Sequence, residues 1–206
     1  HRDLHSFPTR RSSDLAWYPS ELDPMFGLFV KRHIEAIEPL INQAVVIYAY
    51  GVNHKLNLKY IKSYQHIDNV HTYYIKYQKC QLKLPVISST INMLRYFKAN
   101  KMLIKQVVKT HKDIRITHVN ILTRAGVVGL YIKKKYNIPY IITEHWSRYL
   151  SIKKSYKGWL RKAATKQVVK NASAITTVTA NLRDAMLSYK LFSKYHIIPN
   201  VVDTEK

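Results

Sequence analysis

The polar side chains best placed to do chemistry fall in two short stretches, Asn120–Gly126 and Glu144–Arg148. The first offers the Asn120 amide. The second brings Glu144, His145 and Arg148 close together. An imidazole both donates and accepts hydrogen bonds, a neighbouring carboxylate can buffer it, and a guanidinium contacts phosphate or a lipid head group. Other chemistries lack their signatures. There is no GxGxxG run and no P-loop, and of the five glycines the nearest pattern, Gly126 and Gly129, lies inside a helical stretch. There is no CxxC or HExxH, the ten histidines show no metal-ligand spacing, and the single Cys80 lacks a paired base and reads as inert. No metal and no resident cofactor is expected.

One unit must position both stretches. Ile116–His145 reads as strand, helix, strand. Ile116–Asn120 is short and β-branched. Thr123 is expected to cap a helix carrying Val127, Val128, Leu130, Tyr131 and Ile132 near helical spacing. Lys133–Lys135 suit the negative end of its dipole, Asn137 suits a left-handed stop, and Pro139 punctuates. Tyr140–Thr143 is the second strand. A crossover helix between two strands implies a parallel sheet, and such sheets bind ligands beyond the carboxyl ends of their strands. Both polar stretches fall there.

The rest of the chain continues the alternation. A helix is expected over Gly27–Ile37, strands over Gln43–Tyr50 and Asn69–Ile75, and an irregular polar loop over Gly51–Asp68. Ser88–Thr90 should cap a helix from Ile91 to Thr110 with a buried stripe through Leu94, Phe97, Ile104 and Val108. Gly158–Asn171 reads as a helix whose core face is Trp159, Leu160, Ala163 and Ala164. Ala174–Val178 is a strand, Thr179 caps the helix Ala180–Tyr189, and Tyr195–Ile198 is the last strand. The expected fold is α/β, a Rossmann-like doubly wound parallel sheet.

Hydrophobic residues make up 47% of the chain, enough to bury a core, and no apolar run is long enough to cross a bilayer. A lone cysteine makes a cytoplasmic address the simplest. The formal net charge of +22 points to an anionic partner: nucleic acid, a phosphate-bearing substrate or acidic lipid. The Lys, Ile, Asn and Tyr excess also fits codon bias, and the scattered lysines argue against a dedicated nucleic-acid arm. The run His5–Leu15 resembles a translated sequencing adapter, so residues 1–15 are read as a non-native or disordered tail.

Three pieces, in order, resemble the N-terminal domain of glycosyltransferase family 4, retaining enzymes of the GT-B fold. The first is Trp17-Tyr18-Pro19-Ser20 through Pro24, Gly27 and Phe29–His33. The second is Thr117–Asn120 followed by Ile138-Pro139 to Thr143-Glu144-His145-Trp146, similar to the family's P-x-x-x-T-x-H pattern. The third, Ile198–Asp203, resembles the PNGVD link into the second domain. The resemblance implies an acceptor-side domain over residues 16–199 with a truncated first strand, and a linker from residue 200 to a donor-binding domain. That second domain carries an E-x7-E pair in the family. The glutamates here, Glu21, Glu35, Glu38, Glu144 and Glu205, form no such pair, so this fragment is not expected to catalyse alone.

The activity implied is hexosyl transfer from a nucleotide-sugar donor to a glycan or lipid-linked acceptor in bacterial surface polysaccharide or lipopolysaccharide assembly. His145 becomes the catalytic candidate, holding the donor sugar or orienting the acceptor. Gly27 opens a helix whose N–H groups can face the diphosphate. Asn120 stands where the family often has a second histidine. Glu144 would buffer His145, and Arg148 would contact phosphate or lipid. The basic, aromatic character around Trp146 and Trp159 fits peripheral docking on the anionic inner face of the plasma membrane. The competing readings are a basic α/β module binding nucleic acid and an epimerase of the same two-domain fold.

Overall fold

In the computed structural model, which describes residues 18–21, 23–145, 147–150 and 156–200, the chain enters through the turn that ends at Gly27. Gly27 adopts a left-handed conformation, φ 74° and ψ 22°, and opens α1 (Leu28–Ile37). A residue with a Cβ is strained there. Next comes a three-stranded sheet of β1 (Ala44–Val52), β2 (Tyr60–Ile67) and β3 (Val70–Gln78), in the order β1-β3-β2. β1 and β3 are parallel, and β2 is antiparallel to β3.

β2 replaces the loop expected over Gly51–Asp68. Its polarity is that of an edge strand exposed along most of its length. The Asp68-Asn69 turn, with Asp68 at φ 51°, folds it back onto β3 as a hairpin.

α2 (Pro85–Thr110) begins with Pro85 in its first turn, ahead of the expected Ser88–Thr90 caps, which lie inside the helix. Its buried residues are Tyr96, Ala99, Asn100, Leu103, Ile104 and Val107. Phe97 and Val108 flank that stripe, but Leu94 is 60% exposed. The correction has a simple cause: only the second half of α2 has a sheet to bury against.

The crossover unit forms as read, with β4 (Thr117–Asn120), α3 (Arg124–Tyr136) and β5 (Tyr140–Glu144). Asn137 stops α3 at φ 57° behind Lys133–Lys135. Thr123 holds the N-cap position but makes no capping bond. A Cβ on Gly129 would meet Val119 at 2.7 Å, so the missing side chain lets α3 lie close on β4.

α4 (Trp159–Asn171), β6 (Ala174–Thr177), α5 (Ala180–Ser188) and β7 (Tyr195–Ile197) complete a parallel sheet in the order β4-β5-β6-β7. Thr179 caps α5, its hydroxyl accepting from the Leu182 N–H at 3.2 Å. The expected core face of α4 is overturned. Trp159 is 78% and Leu160 66% exposed, Ala163 and Ala164 face solvent, and Thr165, Val168 and Val169 are buried.

The strands do not join in one continuous sheet. Among the described residues β1 and β4 each pair on one side only. A shared core holds the two parts together: Ala49, Tyr73, Ile75 and Tyr77 pack with Leu103 of α2 and with Val128 and Ile132 of α3. The architecture is α/β and Rossmann-like. Among the described residues no helix is long and apolar enough to cross a membrane.

Candidate functional site

Side chains alternate along β5, so Tyr140 and Ile142 enter the core beneath α3 and α4, while Thr143 and His145 turn to the opposite face. α1 meets them there. The Phe29 ring lies 4.3 Å from that of His145, and His33, one helical turn on, lies 5.8 Å from it. His118 of β4 and Thr143 share a hydrogen bond of 2.6 Å, and Thr143 shares another of 2.6 Å with Thr176 of β6. Polar groups from α1, β4, β5 and β6 therefore converge near the carboxyl ends of the strands.

Glu144 fixes the geometry of these tips. Its side chain is fully buried. One carboxylate oxygen accepts from the Leu122 N–H at 3.0 Å and the other from the His145 N–H at 3.0 Å. Glu144 therefore meets His145 through the backbone N–H rather than as a buffer of its ring. The intervening residue Ile121 sits at φ 70° and is completely buried. A β-branched residue in that region stores strain of about 1–3 kcal/mol. Its N–H donates to the Thr143 carbonyl at 2.8 Å, and the turn delivers the next N–H, that of Leu122, to Glu144.

Among the described residues, three polar groups around this turn are buried without a hydrogen-bond partner: Asn120 Oδ1, Thr123 Oγ1 and both ring nitrogens of His145. Burial pushes the His145 imidazole down to about 4, and His33 and His118 add to the fall. The Asn200 side chain approaches and opposes the shift without completing a bond of good geometry. His118 is pushed the same way by enclosure and by His33. The residue as a whole is nevertheless exposed, which softens that effect. His33 is lowered by burial. At neutral pH these are uncharged imidazoles, suited to hydroxyl groups more than to phosphate.

Gly27 opens the helix that carries Phe29 and His33 to His145, so it belongs to the same region. No side chain caps α1. The loop before it already holds an anion, because the Asp23 carboxylate accepts from the Met25 and Phe26 N–H groups at 3.1 and 3.0 Å. Asn120, Glu144 and His145 are brought together as expected. Trp146 and the side chain of Arg148 lie outside the described residues. His33 and Thr143 stood in the family pattern but, like Thr176, were not among the expected site residues. Only the Phe29/His33 spacing of one helical turn hinted at a shared face.

The chain matches the family model described as Glycosyltransferase Family 4 over residues 44–206. It belongs to glycosyltransferase family 4. The strand–helix–strand unit and its tips lie wholly within that match, so the polar convergence at His145 is a feature of a glycosyltransferase domain, whose substrates are a sugar donor and an acceptor. No curated protein matches the chain. Among the described residues no group of three or more His, Cys, Asp or Glu side chains is arranged to hold a metal ion.

Proposed function

We propose that this family 4 domain is the acceptor-side half of a retaining glycosyltransferase that moves a sugar from a nucleotide donor to a glycan or lipid-linked acceptor of the bacterial surface. The observation that carries the reading is the half-buried, uncharged His145 ring, neither of whose nitrogens finds a hydrogen-bond partner among the described residues. A neutral imidazole offers one donor and one acceptor, the pair that a sugar hydroxyl needs. Asn120 Oδ1 and Thr123 Oγ1 add acceptors beside it. Glu144 positions His145 through its backbone, so the imidazole is pre-set and loses little freedom on binding. The departing diphosphate is left to donors outside this neutral pocket, which keeps the domain from trapping its product.

A lipid-linked acceptor is supported by two exposed apolar tips. Trp159 and Leu160 open α4, and Leu84 and Val86, 58% and 78% exposed, open α2. Both helices start beyond the carboxyl ends of strands, the end that holds His145. Lys83, Lys157 and Lys162 are next to these tips in sequence. Trp and Leu beside cations suit an anionic membrane surface at the inner leaflet.

Saturation-transfer NMR of the chain with glucose, galactose, mannose and N-acetylglucosamine tests the sugar contact. At least one sugar should receive signal, and His145→Ala should abolish it. Equal transfer in the wild type and in His145→Ala would sink the assignment.

A further inference from the structure

The chain has only 12 acidic residues against 34 lysines and arginines, so a place where acids gather is informative. Glu21, Glu35, Glu38 and Asp68 all line a single cavity of about 630 Å³. It lies between α1 and the exposed face of the β1-β3-β2 sheet. Among the described lining residues Lys31 is the only lysine or arginine. Glu35 is 3.5 Å from Lys31, and Glu21 is 3.2 Å from Lys76. These are exposed pairs of small worth. The lining keeps a negative balance within a strongly positive protein.

The acids are only half of the site. Tyr18, Tyr50 and Tyr74 also line the cavity with their rings, whereas the Tyr64 ring turns to Tyr73 and His71 on the other face of the sheet. The Tyr18 and Tyr74 ring centroids are 6.4 Å apart, and Tyr50 stacks on Tyr48 at 5.2 Å. Burial, then the neighbouring Tyr18, Tyr50 and Glu21, push the Tyr74 phenol up to about 12. Burial raises Tyr18 and Tyr50 as well, so these three phenols are protonated donors. Ser63, Gln65 and Thr72 add neutral polar groups.

Flat ring faces accept the C–H faces of pyranoses. Carboxylates and amides accept from their hydroxyls. The negative balance repels phosphate, sulfate and nucleotide. The cavity also has a position relative to the histidines. Lys31, Ile34, Glu35 and Glu38 line it, while Phe29 and His33 turn to His145. α1 is a common wall, with the cavity on one side and the sugar-hydroxyl pocket on the other.

We propose that this tyrosine and carboxylate cavity binds a non-anionic oligosaccharide, uncharged or bearing amines, as a second glycan subsite across α1 from His145. The role as a hold on the distal part of an acceptor rests on the glycosyltransferase reading above. The cavity's ligand class rests on its own lining.

The test is calorimetric titration of the full chain with chitotetraose, its fully deacetylated tetramer and a sulfated heparin tetrasaccharide. The deacetylated tetramer should bind tightest and the sulfated one should not enter the cavity. The exposed double change Glu35→Gln/Glu38→Gln should weaken the amine-bearing tetramer by about threefold or more. Tyr50→Ala should weaken both chitin-type chains, and by the same factor in a His145→Ala background, which separates the cavity from the histidine pocket. Thermal melts of each variant establish that the fold is intact. If neither chitin-type tetramer binds, or if the sulfated chain binds through the same tyrosines, the inference is overturned while the His145 contact with monosaccharides stands. If binding is lost in His145→Ala and kept in the glutamate double variant, the glycan sits in the histidine pocket instead, which overturns the second subsite and supports the transferase.

Discussion

Replacing Glu144 with glutamine should destabilise the domain and unfasten the turn after β4. In the native protein each carboxylate oxygen accepts one backbone N–H, from Leu122 and from His145, both at 3.0 Å, in full burial. A glutamine has one oxygen to offer. Its amide NH2 must face the other N–H, donor against donor. A buried N–H without a partner costs about 1–3 kcal/mol, and the surviving bond loses its charge assistance. Removing a buried charge offsets part of this. The net expectation is a loss of about 2 kcal/mol, which at a urea m-value of about 2 kcal/mol/M moves the unfolding midpoint down by about 1 M. Glu144→Ala leaves both N–H groups unpaired and should cost more. Hydrogen exchange gives a local readout: the Leu122 amide should lose protection in Glu144→Gln beyond the change in global stability. An unchanged midpoint with an unchanged Leu122 exchange rate would refute the claim that this carboxylate ties the turn after β4 to the tip of β5.

Three further outcomes follow from other sites. The His145 pKa is lower in the folded state, about 4, than the ordinary imidazole value of 6.5, so below that value the unfolded chain binds more protons. Stability should be intact at neutral pH and fall as pH drops from 6.5 towards 4, by at most about 1.4 kcal/mol per pH unit for this residue. His145→Asn should flatten the slope in urea melts run across that window, and an unchanged slope would remove His145 as its source. Gly129→Ala drives a methyl to within 2.7 Å of Val119 and 3.3 Å of Tyr140. It should cost about 1–3 kcal/mol by overpacking, partly masked by alanine's better helix propensity; a stabilised variant in thermal melts would mean that α3 shifts freely on β4. Trp159→Ala, at a position 78% exposed, should leave unfolding nearly unchanged yet reduce co-sedimentation with anionic phosphatidylglycerol vesicles. Undiminished sedimentation would rule the α4 tip out as a membrane contact.

The crossover unit was legible because every mark that defines it is local. Asn137 takes a left-handed conformation, three lysines occupy the last turn and Pro139 follows, and none of these depends on distant chain. β2 was illegible for the opposite reason. Its polar residues carry no strand pattern, and pairing with β3 through the Asp68-Asn69 turn is what makes it a strand. Trp159 and Leu94 misled in the same manner. Helical spacing tells which residues share a face, but burial depends on how far the helix runs beyond the sheet. At the site, His145 was legible as the residue at a strand's carboxyl end. His33 reaches it from α1, and no spacing in the chain links residues 33 and 145.

The charge of the molecule and its candidate site can be tested apart. Were the +22 meant to grip a diphosphate at the strand tips, cations would converge there. The described tips instead present Asn120, Thr143, Thr176 and His145, around a carboxylate committed to backbone N–H groups. A cation among them would push the His145 imidazole lower still, since His33 and His118 already do so. If the positive charge acts instead on an anionic surface, salt should screen it. Raising ionic strength from about 0.05 M to 0.3 M shortens the screening length to within a few ångströms of the surface and should release the chain from anionic vesicles. The same salt should leave saturation transfer to sugars at His145 unchanged, because a hydrogen bond between a neutral imidazole and a hydroxyl has no net charge to screen. If salt abolishes both, a cation does hold the sugar ligand, and the neutral-pocket reading of His145 fails along with the separation of charge from site.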